Sequence, residues 1–405
     1  MSNIYNKYCK YKMKYLHLHK QLQGNADRKI SLDETGMTPL YRAAMNNDIE
    51  IFPQLLNEAD TDIQDNMGRT PMHLAASEGN INIIQALIEA DADTDIQDNR
   101  GRTPMHIAVE SDQIEVIMAL ADVEADITIQ DNMGLIPIHL AAYRGNMNII
   151  QALINAGADI NIRDKTETTL MHLAIFGKHL NIIQELIRLH ADVNAQNVQG
   201  ITPLHLIAEH LSDGNPLVID TINMLIEAGA TVDAPDNLGW TPLHAAADKN
   251  NIEVIRVLID NNADVNIQDK EQMTPLHRAI KIGQPDTINL LIKRGANVNT
   301  PDLKGETPLH MAVFHNNVYC VNKLLEEGAD INARDIDRVT PLYIAVRAAN
   351  IKMIEKLLAR DPPADKTSRD KYGITPMDLA NQIPDNEDEL RKQVIHALET
   401  SSRTD

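Results

Sequence analysis

A four-residue phrase, Thr-Pro-Leu-His or a close variant, returns along this chain at a nearly fixed pitch. Its copies begin at Thr38, Thr70, Thr103, Ile136, Thr169, Thr202, Thr241, Thr274, Thr307, Thr340 and Thr375. Seven of the ten intervals are 33 residues; the others are 32, 39 and 35. A fixed period in this range means small units stacked in a row, each unable to bury its apolar face alone. A 405-residue chain would otherwise divide into two or three domains. The question therefore moves from what the chain catalyses to what it holds.

Residues 65–97 show how one unit is built. Asp65-Asn66-Met67-Gly68 reads as a turn, with Gly68 free to take a positive φ. Thr70 is placed to cap a helix, and Pro71 at the first helical position has no N–H to lose. Met72, Leu74, Ala75 and Ala76 make a short first helix with a small-residue face, ended by Gly79-Asn80. Ile81, Ile83, Ile84, Leu87 and Ile88 mark a second, more apolar helix. An extended return through Ala90-Asp91-Ala92-Asp93 leads to the next turn. Aromatic residues are only 3 % of the chain against 43 % hydrophobic, so small and aliphatic side chains must fill the interior.

This pattern resembles the ankyrin repeat. The turn Asp and Gly, the Thr-Pro-Leu-His phrase, and Gly-Ala-Asp-Ile-Asn endings such as 157–161 and 328–332 recur in order over about residues 33–400. The resemblance implies an all-α solenoid of eleven helix-turn-helix units with hairpin-like turns, stacked as a curved right-handed array. Ten units read as 33–64, 65–97, 98–130, 131–163, 164–196, 197–235, 236–268, 269–301, 302–334 and 335–369. Residues 370–405 hold the last unit and a polar C-terminal cap over Asn386–Glu399. Departures from the pattern are expected to alter the structure locally. Glu167, Gln272 and Arg338 replace the turn glycine, which predicts looser turns or turns of another type. Leu170 replaces the proline, and Asp378 the histidine. Unit 197–235 is six residues longer around Ser212-Asp213-Gly214-Asn215-Pro216, which predicts a bulge between its helices.

No catalytic chemistry emerges from the repeat. Eight of the fifteen histidines sit in the phrase, but in adjacent units they would lie about 8–10 Å apart, a helix-packing distance. A zinc ion needs nitrogen ligands near 2 Å. Each His is instead expected to bond its own unit's Thr or turn backbone. The row Asp65, Asp98, Asp131, Asp164, Asp236, Asp269, Asp302, Asp335 and Asp370 reads as turn capping rather than a cation site. No Ser-His-Asp set, phosphate loop or Cys-His cluster stands out, so the reading is a non-enzyme with no cofactor and no metal.

The resemblance implies a concave face, lined by turn tips and the ends of the first helices, that binds a partner protein. The corresponding residues here are Arg69, Glu78, Arg102, Tyr143, Arg144, Phe176, His210, Trp240, Lys249, Phe314, His315 and Arg347. Nine aromatic residues follow residue 30, and four of them, Tyr143, Phe176, Trp240 and Phe314, fall at these positions. Tyr, Trp and Arg are the usual interface anchors. For Trp240 a second reading stands beside this one, namely packing against a neighbouring turn. The resemblance also marks Asn161, Asn194, Asn266, Asn299 and Asn332 as candidate hydroxylation sites, set against a structural role bonding the turn backbone.

Charge and location complete the reading. Residues 1–29 carry +6, against −21 for the whole chain, so the remainder carries −27 and nucleic acid is not an expected partner. Ile4, Tyr8, Tyr11, Tyr15, Leu18 and Leu22 form a helical seam flanked by lysines within residues 1–32. This segment reads as a cap docked on the first unit, a surface for a partner or second copy, or an anchor on anionic membrane. The run 8–16 resembles the Lys-Tyr-rich openings of ankyrin-repeat proteins of giant DNA viruses of amoebae. That resemblance implies a viral protein acting on host proteins. A bacterial effector recruiting another activity and a structural virion component are the alternatives. Cys9 and Cys320 do not read as a disulfide framework, no apolar run is long enough to span a membrane, and the N-terminus makes a poor signal peptide. The expected location is a reducing compartment, the host cytoplasm.

Overall fold

The computed structural model of the chain describes residues 38–56, 59–211, 215–384 and 387–400. Among these residues there are 22 α-helices and no strand. The chain divides into two compact units, residues 1–137 and 138–405, and each is described by itself. In the first, the helix pairs are Pro39–Asn46 with Phe52–Leu56, Pro71–Glu78 with Ile81–Glu89, and Pro104–Glu110 with Ile114–Asp122. In the second, the pairs run from Leu170–Phe176 with Leu180–Arg188 to Pro376–Asn381 with Asp388–Thr400. Within each unit, first helices pack on the first helices of their neighbours and second helices on second helices.

The sequence explains both layers. Ala75, Ala76, Ala246 and Ala247 are fully buried in first helices, where small side chains let the next helix approach closely. Second helices bury an i, i+1, i+4 aliphatic stripe: Ile83, Ile84 and Leu87 in one compact unit, Val254, Ile255 and Leu258 in the other. Each such side chain removed from water contributes on the order of 1.5–3 kcal/mol. Thr at the N-cap and Pro at the first position start nearly every first helix, and Leu170 in the proline's place starts one equally well because Thr169 still caps it.

The turns lacking glycine are not looser and not of another type, contrary to the expectation from sequence. Glu167, Gln272 and Arg338 adopt φ of 59°, 58° and 61°, the left-handed region that Gly68 and Gly239 occupy at 76° and 81°. The preceding aspartate overrides the local preference. Asp164 Oδ1 accepts the N–H groups of Thr166 and Thr168 at 2.7 and 2.9 Å, and Asp269 and Asp335 repeat this with the second and fourth residues after them. Two charge-assisted bonds outweigh a left-handed penalty of about 1–2 kcal/mol.

The extra length of unit 197–235 goes partly into regular structure. Its second helix, Pro216–Glu227, has 12 residues against nine in Ile252–Asp260, started by Pro216 and capped by Asn215. Residues 212–214 lie outside the described residues, as do 1–37, so the expected bulge and the N-terminal seam are not placed. The terminal helix runs Asp388–Thr400 and buries Val394, Ala397 and Leu398.

Candidate interaction face

The histidines of the phrase are consumed by the frame. In unit 65–97 the Thr70 N–H donates to His73 Nδ1 at 3.0 Å, and Thr70 Oγ1 lies 2.9 Å from the same nitrogen. Nδ1 must therefore be unprotonated, which puts the ring proton on Nε2. That proton points at the Arg102 carbonyl of the next unit, 2.9 Å away. The same arrangement joins His106 to Leu135, His172 to Ile201, His205 to Trp240, His244 to Met273 and His310 to Val339 at 3.0–3.1 Å. Sequence reasoning placed the bond within the unit and missed the bond between units. Burial pushes these imidazoles down from the usual range, His73 to about 4. His277 departs from the set: its buried Nε2 is set toward the Glu306 carbonyl but makes no hydrogen bond of ordinary geometry with it. Tyr41, Tyr343 and Asp378 substitute chemically. The Tyr41 hydroxyl donates to the Arg69 carbonyl at 2.7 Å, Tyr343 to Asp370 Oδ2 at 2.9 Å, and Asp378 Oδ2 accepts from Thr375 N–H at 3.0 Å.

The asparagines form a second inter-unit clamp. Asn194 Oδ1 accepts the Thr231 N–H at 2.8 Å while its Nδ2 donates to the Gly229 carbonyl at 2.8 Å. Asn266 and Asn299 do the same to Asn297 and Gly295, and to Asp330 and Gly328. Asn161 and Asn332 accept from Asp192 and Asp365, each at 2.7 Å. Asp62 and Asp95 hold the same position in the first compact unit, bonded to the N–H groups of Asp93 and Asp126.

The candidate partner residues fall into two groups. In the first compact unit Arg69 and Arg102 fold back onto their own turn aspartates. Arg69 Nη2 lies 2.8 Å from Asp65, and Arg102 Nη2 lies 2.7 Å from Asp98, with its Nη1 on Glu110. Burial pushes the Asp98 carboxyl up, but the bonds it accepts from Arg102 and Arg100 bring it below the usual range. Glu78 is exposed.

In the second compact unit Tyr143, Phe176 and Phe314 are 55 %, 44 % and 64 % exposed, though each is large and apolar. Phe176 meets His210 of the following unit at 5.6 Å between ring centroids, and Phe314 meets His315 edge-on at 5.3 Å. Arg144, Lys249 and Arg347 are exposed. Trp240 is half-buried and carries the Arg278 guanidinium 4.2 Å from its ring centroid. Arg278 is itself buried and bonded to Asp269 and Glu271. Trp240 thus packs on a neighbouring side chain and also borders a cleft with Ile201, Glu209 and Asp248. In each compact unit taken by itself, that cleft or the Arg102–Glu110 pair sets a residue preceding the Thr beside the end of a first helix.

The sequence reading missed the outermost turn positions. Val198, Leu238, Leu303, Ile336 and Tyr372, one or two residues after the turn Asp or Asn, are 54–76 % exposed. An apolar side chain in a turn with no core to enter was the available signal.

Among the described residues no group of His, Cys, Asp and Glu is placed to hold a metal ion, and no helix is long and apolar enough to cross a membrane. Cys320 is buried, which pushes its thiol up to about 11. Family models decide the relationship. Models of ankyrin repeats match overlapping segments from 7–98 through 263–335, and a further ankyrin-repeat model matches 324–380. The chain belongs to the ankyrin-repeat family. The histidine and asparagine clamps are accordingly the joints between ankyrin units. No curated protein matches the sequence.

Proposed function

We propose that this ankyrin-repeat chain is a non-enzymatic interaction scaffold that holds a partner protein along the turn tips and first-helix ends of residues 138–405. One observation carries the reading. Of the twelve exposed large apolar residues described in that unit, nine sit at these positions: Tyr143, Phe176, Val198, Leu238, Ile282, Leu303, Phe314, Ile336 and Tyr372. Only Leu217, Val318 and Tyr319 lie elsewhere. Scattered exposed apolar residues are ordinary, but their concentration on one row of positions marks a binding surface. The non-enzymatic reading is supported by the phrase histidines, most of which brace the joints through their ring nitrogens, and by the burial of Cys320.

The Lys-Tyr-rich run 8–16 supports a viral protein acting on host proteins in the reducing host cytoplasm, and that segment lies outside the described residues. The test is proximity labelling in host cells with the wild-type chain and a Tyr143→Ala, Phe176→Ala, Phe314→Ala variant. Loss of specific labelling with an unchanged melting temperature is the expected result. An unchanged labelling profile overturns the reading. A Leu217→Ala, Tyr319→Ala variant serves as the control and retains labelling.

A further inference from the structure

Within the second compact unit, ankyrin unit 236–268 carries a small residue, the buried Ala245, directly after its phrase histidine. The residue after the phrase histidine is Leu74, Ile107, Leu140, Leu173, Leu206 or Met311 in six other units and Arg278 in unit 269–301, but Ala245 here. Ala245 lines a cleft together with Ile201, His205 and Trp240, with the carboxylates of Glu209 and Asp248 also on its lining. His205 holds the Trp240 carbonyl at 3.0 Å, and Asp236 Oδ1 accepts the Trp240 N–H at 2.8 Å, so the indole stands on a fixed backbone.

Two observations show what kind of group the cleft suits. The indole already carries one guanidinium: Arg278, from the following unit, lies 4.2 Å from its centroid, while the cleft residues Ile201, His205 and Glu209 come from the preceding unit. Trp240 thus touches both an internal arginine and the cleft. Secondly, the two carboxylates are bridged by an ammonium of the chain itself. Lys249 Nζ lies 3.5 Å from Glu209 Oε1 and 3.3 Å from Asp248 Oδ2. Lys249 is exposed, and surface ion pairs such as these contribute only about 0–1 kcal/mol, so an incoming cation can displace its ammonium.

We propose that this cleft binds a basic side chain, Arg before Lys, presented by the protein partner. Its planar or methylene portion lies against Trp240 and Ile201, and its charge replaces Lys249 between Glu209 and Asp248. A planar guanidinium satisfies both the indole face and two carboxylates, which a point-charge ammonium does less well. The −21 net charge of the chain draws basic partners toward it. The proposal rests on the reading of this face as a partner surface and adds the chemistry of one anchor.

Trp240 is the single tryptophan of the chain, so its fluorescence and indole N–H resonance report on this cleft alone. The probe is N-acetyl-arginine amide, titrated into the full chain at 150 mM salt, with the neutral isostere N-acetyl-citrulline amide alongside. Saturable shifts of the Trp240 signals by the arginine probe, absent with the citrulline probe, are expected. Glu209→Gln with Asp248→Asn weakens the response at least fivefold. Ala245→Leu fills the cleft and abolishes the response, and Lys249→Met strengthens it severalfold by removing the internal competitor. Equal responses to both probes, or an undiminished response in the Gln/Asn double variant, overturn the proposal. The two readings fail separately. An arginine response absent while the triple aromatic variant loses its partner sinks the cleft alone. An arginine response present while that variant keeps its partner sinks the partner face and leaves a cation site.

Discussion

Replacing His73 by Tyr tests how the array is held together. His73 is neutral because Nδ1 must accept the Thr70 N–H, and a proton there would set two donors facing each other. Burial holds its pKa at about 4, against about 6.5 in the unfolded chain. A folded pKa below the unfolded one makes the contribution complete above pH 6.5 and loses it as pH falls from there toward 4. At 1.36 kcal/mol per pKa unit, that gap makes the stability lost through His73 between pH 6.5 and pH 4 about 3 kcal/mol. Near pH 5.2 the unfolded chain binds about 0.9 more protons at this site than the folded chain, a slope of about 1.2 kcal/mol per pH unit. Six further histidines, His106, His172, His205, His244, His277 and His310, are lowered by burial in the same way, so their slopes add with the same sign. Asp98, Asp365 and Asp370 are held low and lose their contribution only below 3.8. Asp233 and Glu306, pushed up by burial, act with the opposite sign. Tyrosine is the natural replacement, since Tyr41 occupies this position one unit earlier and reaches the corresponding carbonyl. Urea midpoints of the full chain measured from pH 7.5 to 4.5 are the assay. His73→Tyr is expected to match wild type within about 1 kcal/mol at pH 7.5, and to lose less stability below pH 6 by the slope above. A variant stable at pH 7.5 with an undiminished slope refutes the assignment of a buried, neutral His73.

Asp269→Asn keeps the Oδ1 acceptor of its turn but leaves the buried Arg278 without its close counter-charge. It should destabilise by about 3 kcal/mol, whereas Asp302→Asn, which copies the natural Asn197 turn, should cost under about 1 kcal/mol in the same denaturation assay. Equal costs would show that the Arg278 pair contributes nothing. Gln272→Gly relieves the left-handed backbone at φ 58° and should stabilise by about 0.5–1 kcal/mol after the entropy of glycine is subtracted; a drop in the urea midpoint contradicts the strain argument. In a Cys9→Ser chain, Cys320 should resist a thiol reagent at pH 8 until denaturant is added, because burial holds its thiol at about 11. Rapid labelling of the native protein would disprove its burial.

Much of this molecule was legible as sequence because the repeat states the same local rule many times. Thr and Pro start helices through their own backbone chemistry, and an i, i+1, i+4 aliphatic stripe has one place to go. What misled was the turn: Glu167, Gln272 and Arg338 break a local preference, and only the Asp164, Asp269 and Asp335 side chains reveal why the turn survives. The exposed positions of the proposed partner face drew notice in the sequence at Tyr143, Phe176 and Phe314, which are aromatic in an aromatic-poor chain. The turn-tip residues Leu238, Leu303 and Ile336 were not, because an apolar residue in a short turn reads as a buried one until its neighbours are placed.

The sequence by itself determined the fold family and where its first helices start, since periodicity and capping act within a few residues of one another. Tertiary structure alone decided what joins the units and what faces outward. The His73–Arg102 and Asn194–Thr231 bonds link residues 29 and 37 positions apart, and the Trp240 cleft needs side chains from two successive units. Such contacts depend on how units stack, and no window of one repeat contains that information.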